Sequence, residues 1–317
     1  MILLSADHLA AQDAVVIRRA DGRETKRTGK IVEWTGTRIQ LENDSGRTRS
    51  IDVSDVKRID TRWPEELLAA RELVAKHDYA GAAASYQQAS KSESRGWVKA
   101  IIGAELLQVF DLSENHRQAI VEFLKLYVAD GSTRFFDLIP LAWSIEEQNI
   151  PSEVELKRWL TNDNAVLRLM SASWLLSRGN NQSAVAELEK LSTNGDKRIA
   201  QLALTQLWRT RLLAASEADV ERWETQIQRL QPELRAGPLI LLAAAQNRNG
   251  QSRAAQVNLL KARILHPQKK LLAAYALYLC GNIMSDSKQS DRAQSVWREL
   301  ITNFPTSQYA ALAGNKL

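Results

Sequence analysis

The sequence predicts a mainly α fold, an α-solenoid of helical hairpins, with a small all-β barrel at its N-terminus. The first observation behind this prediction is a repeated spacing of small and bulky residues near the C-terminus. It occurs at Ala255, Leu259, Ala262 and Pro267, and again 38 residues later at Ala293, Trp297, Leu300 and Pro305. Small residues let two helices approach closely, a bulky residue fills the next groove, and proline stops the second helix. The second observation is a series of short alternating segments before residue 62, which is typical of β-strands.

The composition is that of an ordinary folded soluble protein. Of the 317 residues, 44% are hydrophobic and 25% are charged. The net charge of +5 at pH 7 is modest for this length and gives only weak support to nucleic acid as a partner. The single cysteine, Cys280, excludes an intrachain disulfide and is predicted to be a small buried residue. No segment has the ~18 consecutive apolar residues that a membrane-spanning helix needs.

Residues 1–12 are expected to be either a flexible tail or the remnant of a signal segment. The chain begins with a short apolar stretch followed by small residues that resemble a cleavage region. A basic region is missing, and Asp7 and His8 interrupt the apolar stretch. The expected location is the periplasm or cell envelope if a signal sequence precedes this segment, and the cytoplasm otherwise.

Residues 13–62 are expected to form the small β-barrel. Five short β-rich segments occur at residues 15–18, 29–35, 38–42, 50–53 and 56–59. The Asn43-Asp44-Ser45-Gly46 stretch between the third and fourth segments is a strong hairpin signal. Closure into a barrel would remove exposed strand edges. The order of strands and turns resembles that of SH3-like or Sm-like barrels.

Residues 63–317 are expected to form six or seven helical hairpins without an intervening linker. The small and bulky landmarks recur in three earlier second helices, at Ala82, Tyr86 and Ala89, at Ala119, Phe123 and Leu126, and at Ala184, Leu188 and Leu191. Two less regular units lie near Val154 and Trp159, and near Val220 and Trp223. Between the early and late hairpins, residues 135–143 are predicted to pack as an irregular helix that Pro140 interrupts.

The repeated landmarks resemble those of tetratricopeptide (TPR) repeats, whose period is about 34 residues. One helix before each C-terminal set, a small residue, Ala243 or Gly281, stands where two helices of such a repeat touch. The last residues are similar to the ends of repeats in bacterial cell-envelope TPR proteins. The matching residues are Phe304, Pro305, Ser307, Tyr309, Ala310 and Ala313. This resemblance implies a curved stack of hairpins that binds protein or peptide partners.

No residue pattern typical of catalysis, of metal binding or of a cofactor site is found in the sequence. The histidines, His8, His77, His116 and His266, lie far apart without a second ligand at helical spacing, and the last three are interpreted as solvated turn residues. Neither a glycine-rich phosphate loop nor a Gly-x-Ser-x-Gly motif is present. The sequence therefore predicts a protein that is not an enzyme and has no cofactor.

One run of basic residues stands out in the β-rich segment. It contains Arg18, Arg19, Arg23, Lys26, Arg27 and Lys30. On a small barrel these residues form a possible nucleic-acid-facing patch. Acidic residues are interleaved with them, and Trp34 is the single aromatic residue of the segment. A solvated hairpin is therefore the favoured interpretation, and nucleic-acid binding is the alternative.

The leading hypothesis is an interaction scaffold that binds a protein or peptide through the concave face formed by the first helix of each hairpin. Tyr278, Asn282, Asn247 and Arg248 are the predicted partner-binding residues, because they lie within a few positions of the helix contacts at Gly281 and Ala243. A nucleic-acid-binding module and a structural component of a bacterial cell-envelope complex are the alternatives. The identity of the partner and the oligomeric state are not predicted.

Overall fold

A computed structural model describes residues 13–19, 22–144, 149–179 and 181–317. The strands are β1 (Asp13–Arg18), β2 (Glu24–Trp34), β3 (Arg38–Glu42), β4 (Thr48–Asp52) and β5 (Val56–Asp60). The helices are α1 (Glu65–Ala75), α2 (Tyr79–Ser92), α3 (Gly96–Leu112), α4 (His116–Ala129), α5 (Glu153–Leu160), α6 (Ala165–Leu176), α7 (Gln182–Leu191), α8 (Lys197–Arg211), α9 (Glu217–Arg229), α10 (Ala236–Arg248), α11 (Ser252–Leu265), α12 (Lys270–Asp286), α13 (Ser290–Asn303) and α14 (Gln308–Gly314). The predicted mainly α fold with a small all-β segment at the N-terminus is confirmed. The predicted tail or signal remnant lies outside the described residues.

The chain divides into two compact units. One contains the described residues up to Val109 together with Lys125–Phe136, and the other contains Phe110–Leu124 and Asp137–Leu317. Helices α3 and α4 each contribute residues to both units. The domain boundaries expected after residues 12 and 62 stay a prediction.

The β-strands form one antiparallel sheet in the order β4-β3-β2-β1-β5. β5 returns to pair with β1, which leaves β4 and β5 at the two ends of the sheet. The expected closure into a barrel is therefore wrong for the strands that the structure describes. Charged and polar side chains on the end strands, such as Arg49, Lys57 and Arg58, keep these open edges in water and oppose pairing with another strand.

One face of the sheet is apolar and buried. Val15, Ile31, Ile39 and Ile51 lie on it, each with 5% or less of its surface exposed. The registers place Ile31 opposite Leu41 and Ile39 opposite Ile51, so directly paired residues share this face. The apolar residues that alternate along these strands therefore share one buried side of the sheet.

Aromatic and cationic side chains add a second cluster to the first unit. The Trp34 and Trp97 rings lie 5.6 Å apart, and Trp63 meets Trp97 edge to face at 6.0 Å. The guanidinium of Arg134 lies 3.5 Å from the centre of the Trp34 ring. Burial lowers the pKa of Arg134 to about 10, so it stays charged at neutral pH. Trp34 is thus part of the packing of this unit.

The helices of the second unit pack in sequence. Each helix from α5 to α8 contacts the next, as does each helix from α9 to α14. In addition α6, α8, α10, α12 and α14 contact one another in that order. A Cβ atom at Gly281 of α12 would overlap the Trp297 indole of α13, which confirms the predicted close approach of these helices. None of the helices that the structure describes is long and apolar enough to cross a bilayer.

Residues 137–144, here called the buried segment, differ from the prediction. Instead of an irregular helix, one 3-10 turn at Phe136–Leu138 is followed by chain without helix or strand. Pro140 has no N–H to donate and disfavours helix for the residue before it. All residues from Leu138 to Ser144 are nevertheless buried. Their backbone polar groups therefore need partners outside regular structure, and side chains of other helices supply them.

Candidate functional site

The buried segment lies against α6, α8, α10 and the start of α12. These are the helices that the sequence assigns as the first of each hairpin. The Trp174 indole of α6 donates a hydrogen bond of 2.9 Å to the Pro140 carbonyl. At the other end, Gln268 Nε2 donates to the Asp137 carboxylate at 3.1 Å, and the Lys269 ammonium donates to the Asp137 carbonyl. The side on which the sequence predicts partner binding thus holds an extended piece of this chain.

Polar side chains of α6 and α8 hold the backbone of the segment at Ala142. The Ala142 N–H donates to Ser173 Oγ at 2.9 Å, and Gln206 Nε2 donates to the Ala142 carbonyl at 3.1 Å. Ser173 and Gln206 are completely buried and are hydrogen-bonded to each other at 3.0 Å. Because these contacts are made to main-chain atoms, they recognise an extended backbone rather than one side chain.

Arg209 of α8 completes this network. One terminal nitrogen donates to the Ser173 carbonyl at 2.7 Å, and the other donates to the Ser144 carbonyl at 2.9 Å and to Ser177 Oγ at 2.7 Å. The side chain is 8% exposed. A buried guanidinium is tolerated when carbonyl and hydroxyl oxygens accept its protons. Arg209 therefore ties α6, α8 and the buried segment together.

Gly237 of α10 provides room for the one large aromatic residue of the segment. A Cβ atom at Gly237 would overlap the Trp143 ring. Trp143 is 6% exposed, so its indole packs directly on the backbone of α10. This is the same arrangement by which Gly281 receives Trp297. In both places glycine is required by a neighbouring ring rather than by a turn.

A small cavity of about 30 Å³ borders the segment at Pro140, with His116, Asp111 and Lys269 in its wall. It has room for about one water molecule. Among the residues that the structure describes, neither ring nitrogen of His116 has a hydrogen-bond partner, and the ring packs on Trp174 with 4.3 Å between centroids. Burial lowers the pKa of His116 to about 4, and burial raises the pKa of Asp111 to about 6. Burial also lowers the pKa of Lys269.

Replacing His116 with phenylalanine is expected to make the protein less sensitive to acid. The folded-state pKa of His116, about 4, lies below its ordinary value of 6.5, so the unfolded chain binds this proton more readily. The contribution of neutral His116 to stability is complete above pH 6.5 and is lost as the pH falls toward 4. We therefore compare the unfolding free energy of His116→Phe with that of the wild type at each pH. The difference, variant minus wild type, should be about 2 kcal/mol larger at pH 5 than at pH 7.5.

Urea unfolding of both proteins between pH 4 and pH 7.5 measures this difference. The raised pKa of Asp111 has the opposite effect on stability in the same pH range, but Asp111 is present in both proteins and contributes to both curves. Parallel stability curves for the two proteins would show that His116 is not buried in its neutral form.

The predicted partner-binding residues fall into two groups. Asn247 and Arg248, at the end of α10, have partners within the chain: Asn247 accepts from Ser252 Oγ at 2.9 Å, and Arg248 donates to the Leu213 carbonyl at 2.8 Å. Tyr278 and Asn282 lie one turn apart on α12 and are half-buried. Asn282 Oδ1 has no hydrogen-bond partner in the part of the chain that the structure describes.

Tyr278 belongs to an aromatic cluster at the end of the second unit. Its ring lies 5.9 Å from that of Tyr309 of α14, and the Lys316 ammonium lies 6.0 Å from the Tyr278 ring and 5.7 Å from the Trp297 ring. Leu271, Tyr275, Tyr278 and Asn282 follow helical spacing, so they form one row along α12. Leu271 and Tyr275 line the cavity beside the buried segment. The row therefore leads from the buried segment to the partly exposed cluster.

The predicted basic patch is divided between the two faces of the sheet. Lys26 and Lys30 are exposed, and Lys26 is paired with Asp60 at 3.2 Å. Arg27 points to the opposite face, because it is directly paired with the completely buried Val15. Arg18, Arg19 and Arg23 are exposed at and beyond the end of β1. The six residues therefore do not form one surface.

Arg27 instead lies with two arginines that the sequence did not single out. Together with Arg47 and Arg49 it lines a surface pocket of about 480 Å³. The prediction took the basic residues as one surface because they are close in sequence, whereas successive side chains of a strand point to opposite faces. The pairing register of the β3–β4 hairpin places Arg49 opposite Leu41, and a prediction of this register would have placed Arg49 at the pocket.

Two of the predicted solvated histidines are buried, and this prediction was wrong. His116 is 2% exposed and His266 is 4% exposed, whereas His77 lies exposed in the turn before α2 as expected. His8 lies outside the described residues. Within the described ranges, no group of three or more histidine, cysteine or acidic residues is placed to hold a metal ion. Cys280 is buried as predicted, and burial raises the pKa of its thiol to about 11.

Comparison of the chain with protein-family models, with curated proteins and with solved structures returned no match in any of the three.

Proposed function

We propose that this protein is a non-catalytic interaction scaffold, whose TPR-like hairpins bind an extended segment of a partner protein along their first helices. The buried segment is the observation that carries the proposal. Side chains of α6 and α8 bind it through main-chain N–H and C=O groups, as a peptide would be bound. The same side of the array that the TPR resemblance assigns to partners is therefore suited to extended chain.

The C-terminal half of α12 is the part of this side that we assign to an external partner. The row that begins beside the buried segment continues to Tyr278 and Asn282, where the side chains are partly open to solvent. An aromatic ring, an amide oxygen that no described residue hydrogen-bonds and the exposed Lys316 ammonium offer stacking, hydrogen bonding and charge together. Aromatic residues at the centre of an interface commonly carry much of its binding energy.

Photo-crosslinking tests this assignment. A photoreactive amino acid at Asn282 is expected to capture a protein partner, whereas the same amino acid at exposed Arg298 on α13 serves as the matched control. Tyr278→Ala should weaken binding of the captured partner at least tenfold, because it removes a partly buried aromatic contact. Equal capture at both positions, or turnover of a small substrate by the purified protein, would count against the scaffold.

A further inference from the structure

The pocket on the β-sheet is a second site, independent of the scaffold proposed for the helices. We propose that it binds the phosphoryl group of a small phosphorylated molecule. The pocket lies where the end of β3 and the start of β4 meet the middle of β2, and it measures about 480 Å³. Its wall contains Arg27, Thr28, Leu41, Asn43, Arg47, Thr48 and Arg49. Three arginines thus border one apolar residue, Leu41.

The sheet register brings the arginines together. Arg49 is directly opposite Leu41, which is directly opposite Ile31, so these three side chains share one face. Arg27 and Ile31 are separated by an even number of residues along β2, so the Arg27 side chain lies on the same face. This face is the apolar, buried side of the sheet, and the arginines occupy its open end. Leu41, 5% exposed, separates them from the core and forms the floor of the pocket.

The turn between β3 and β4 fixes the position of Arg47. Asn43 Oδ1 accepts hydrogen bonds from the backbone N–H groups of Ser45, at 3.1 Å, and of Arg47, at 2.9 Å. The Asn43 N–H in turn donates to the Arg47 carbonyl at 3.0 Å. Gly46 adopts a φ of +74°, which favours glycine and permits this tight turn. The backbone that carries Arg47 is therefore held in place before a ligand arrives.

The charges of the pocket are not neutralised by the sheet itself. Within the described residues, no ion pair is formed by Arg27, Arg47 or Arg49, and Arg27 Nε is buried without an acceptor. Three acidic groups of the sheet are paired with other cations: Glu24 with Lys57, Glu33 with Arg38, and Asp60 with Lys26 and Arg58. Three permanent positive charges around one concave site favour an anion with more than one negative charge.

The chemistry and the size of the site favour a phosphate monoester on a small molecule. A guanidinium can bind two oxygens of one phosphoryl group at once. A volume of about 480 Å³ is in the range of small-molecule pockets. A nucleic-acid strand would need a basic track, whereas Lys26 and Lys30 lie on the other face of the sheet.

Isothermal titration of the full chain with O-phospho-L-serine and with L-serine tests the proposal. At low salt, the phosphorylated probe should bind and L-serine should not. Arg49→Gln should weaken binding at least tenfold, because Arg49 is an exposed residue on the pocket wall whose loss leaves the core intact. Lys30→Gln removes the same charge from the opposite face of β2 and should change affinity by less than twofold. Inorganic phosphate shows whether the phosphoryl group alone is sufficient.

Three outcomes would overturn the site. The first is no binding of either phosphate probe at low salt. The second is an equal loss of affinity in Arg49→Gln and Lys30→Gln, which would indicate a diffuse charge effect. The third is tighter binding of an oligothymidine without a terminal phosphate than of O-phospho-L-serine, with the same sensitivity to Arg49→Gln, which would favour a nucleic-acid strand. Circular dichroism of each variant confirms that the fold is retained.

Discussion

Replacing Arg209 with methionine is expected to lower the free energy of unfolding of the second unit by about 3 kcal/mol. The substitution keeps an unbranched apolar stem but removes the guanidinium, so the Ser144 and Ser173 carbonyls lose the donors that they have at 2.9 and 2.7 Å. Each buried acceptor that loses its partner costs about 1–3 kcal/mol, and the energy recovered by no longer burying a charge offsets part of this cost.

Arg211→Met provides the control for this measurement. Arg211 lies on the same helix but is exposed, so its replacement should change stability by less than about 0.5 kcal/mol. Urea denaturation followed by circular dichroism compares the two variants. If Arg209→Met were as stable as Arg211→Met, the network around the buried segment would not stabilise the fold.

Introducing valine at Gly237 is expected to destabilise the protein by about 3 kcal/mol, because the new side chain overlaps the Trp143 ring. Trp143→Ala alone should also cost about 3–5 kcal/mol through the cavity that it leaves. In the Trp143→Ala background, however, Gly237→Val should cost less than about 1 kcal/mol, since the ring is no longer present. Such non-additive stability changes would show that residue 237 and the Trp143 ring are in direct contact, and not that the two substitutions destabilise the protein independently.

Gly195→Ala is the matched control for the glycine substitution. A Cβ atom at Gly195 would meet no atom within 4 Å, so this change should be nearly neutral. Strictly additive effects of Gly237→Val and Trp143→Ala would contradict the packing of the buried segment on α10.

Elements defined by nearby residues were predictable from the sequence. The landmarks Ala293, Trp297 and Leu300 are buried on α13 as predicted, because helical spacing alone places them on one face. The hairpin between β3 and β4 was likewise predicted from its turn residues. In both cases the residues that decide the structure lie within about one repeat of each other.

The buried segment was missed because its contacts are distant in sequence. Ala142 meets Ser173 after 31 residues, and Asp137 meets Lys269 after 132 residues. No local periodicity records such contacts. One available signal was the apolar run from Leu138 to Trp143, which contains a proline and no polar face. Such a run suits neither an amphipathic helix nor a solvated loop, and complete burial of extended chain explains it.

His116 and the pocket arginines were misjudged for related reasons. His116 follows a turn in the sequence, but Trp174, 58 residues later, covers its ring. Arg49 carries the same charge as the linear basic run, yet only the strand register shows that it shares a face of the sheet with Arg27. Burial and facing direction depend on pairing between elements, which a single sequence records weakly.

The buried segment also has a consequence for how the second unit unfolds. In an array where each hairpin meets only its neighbours, stability is a sum over neighbours, and terminal hairpins can fray or be removed one by one. Here one short stretch links α6 to the start of α12, so hairpins that are far apart in the chain depend on it together. Deleting the chain from α12 onward should therefore loosen α6 and α8 as well, and hydrogen exchange should show these helices opening as one cooperative block.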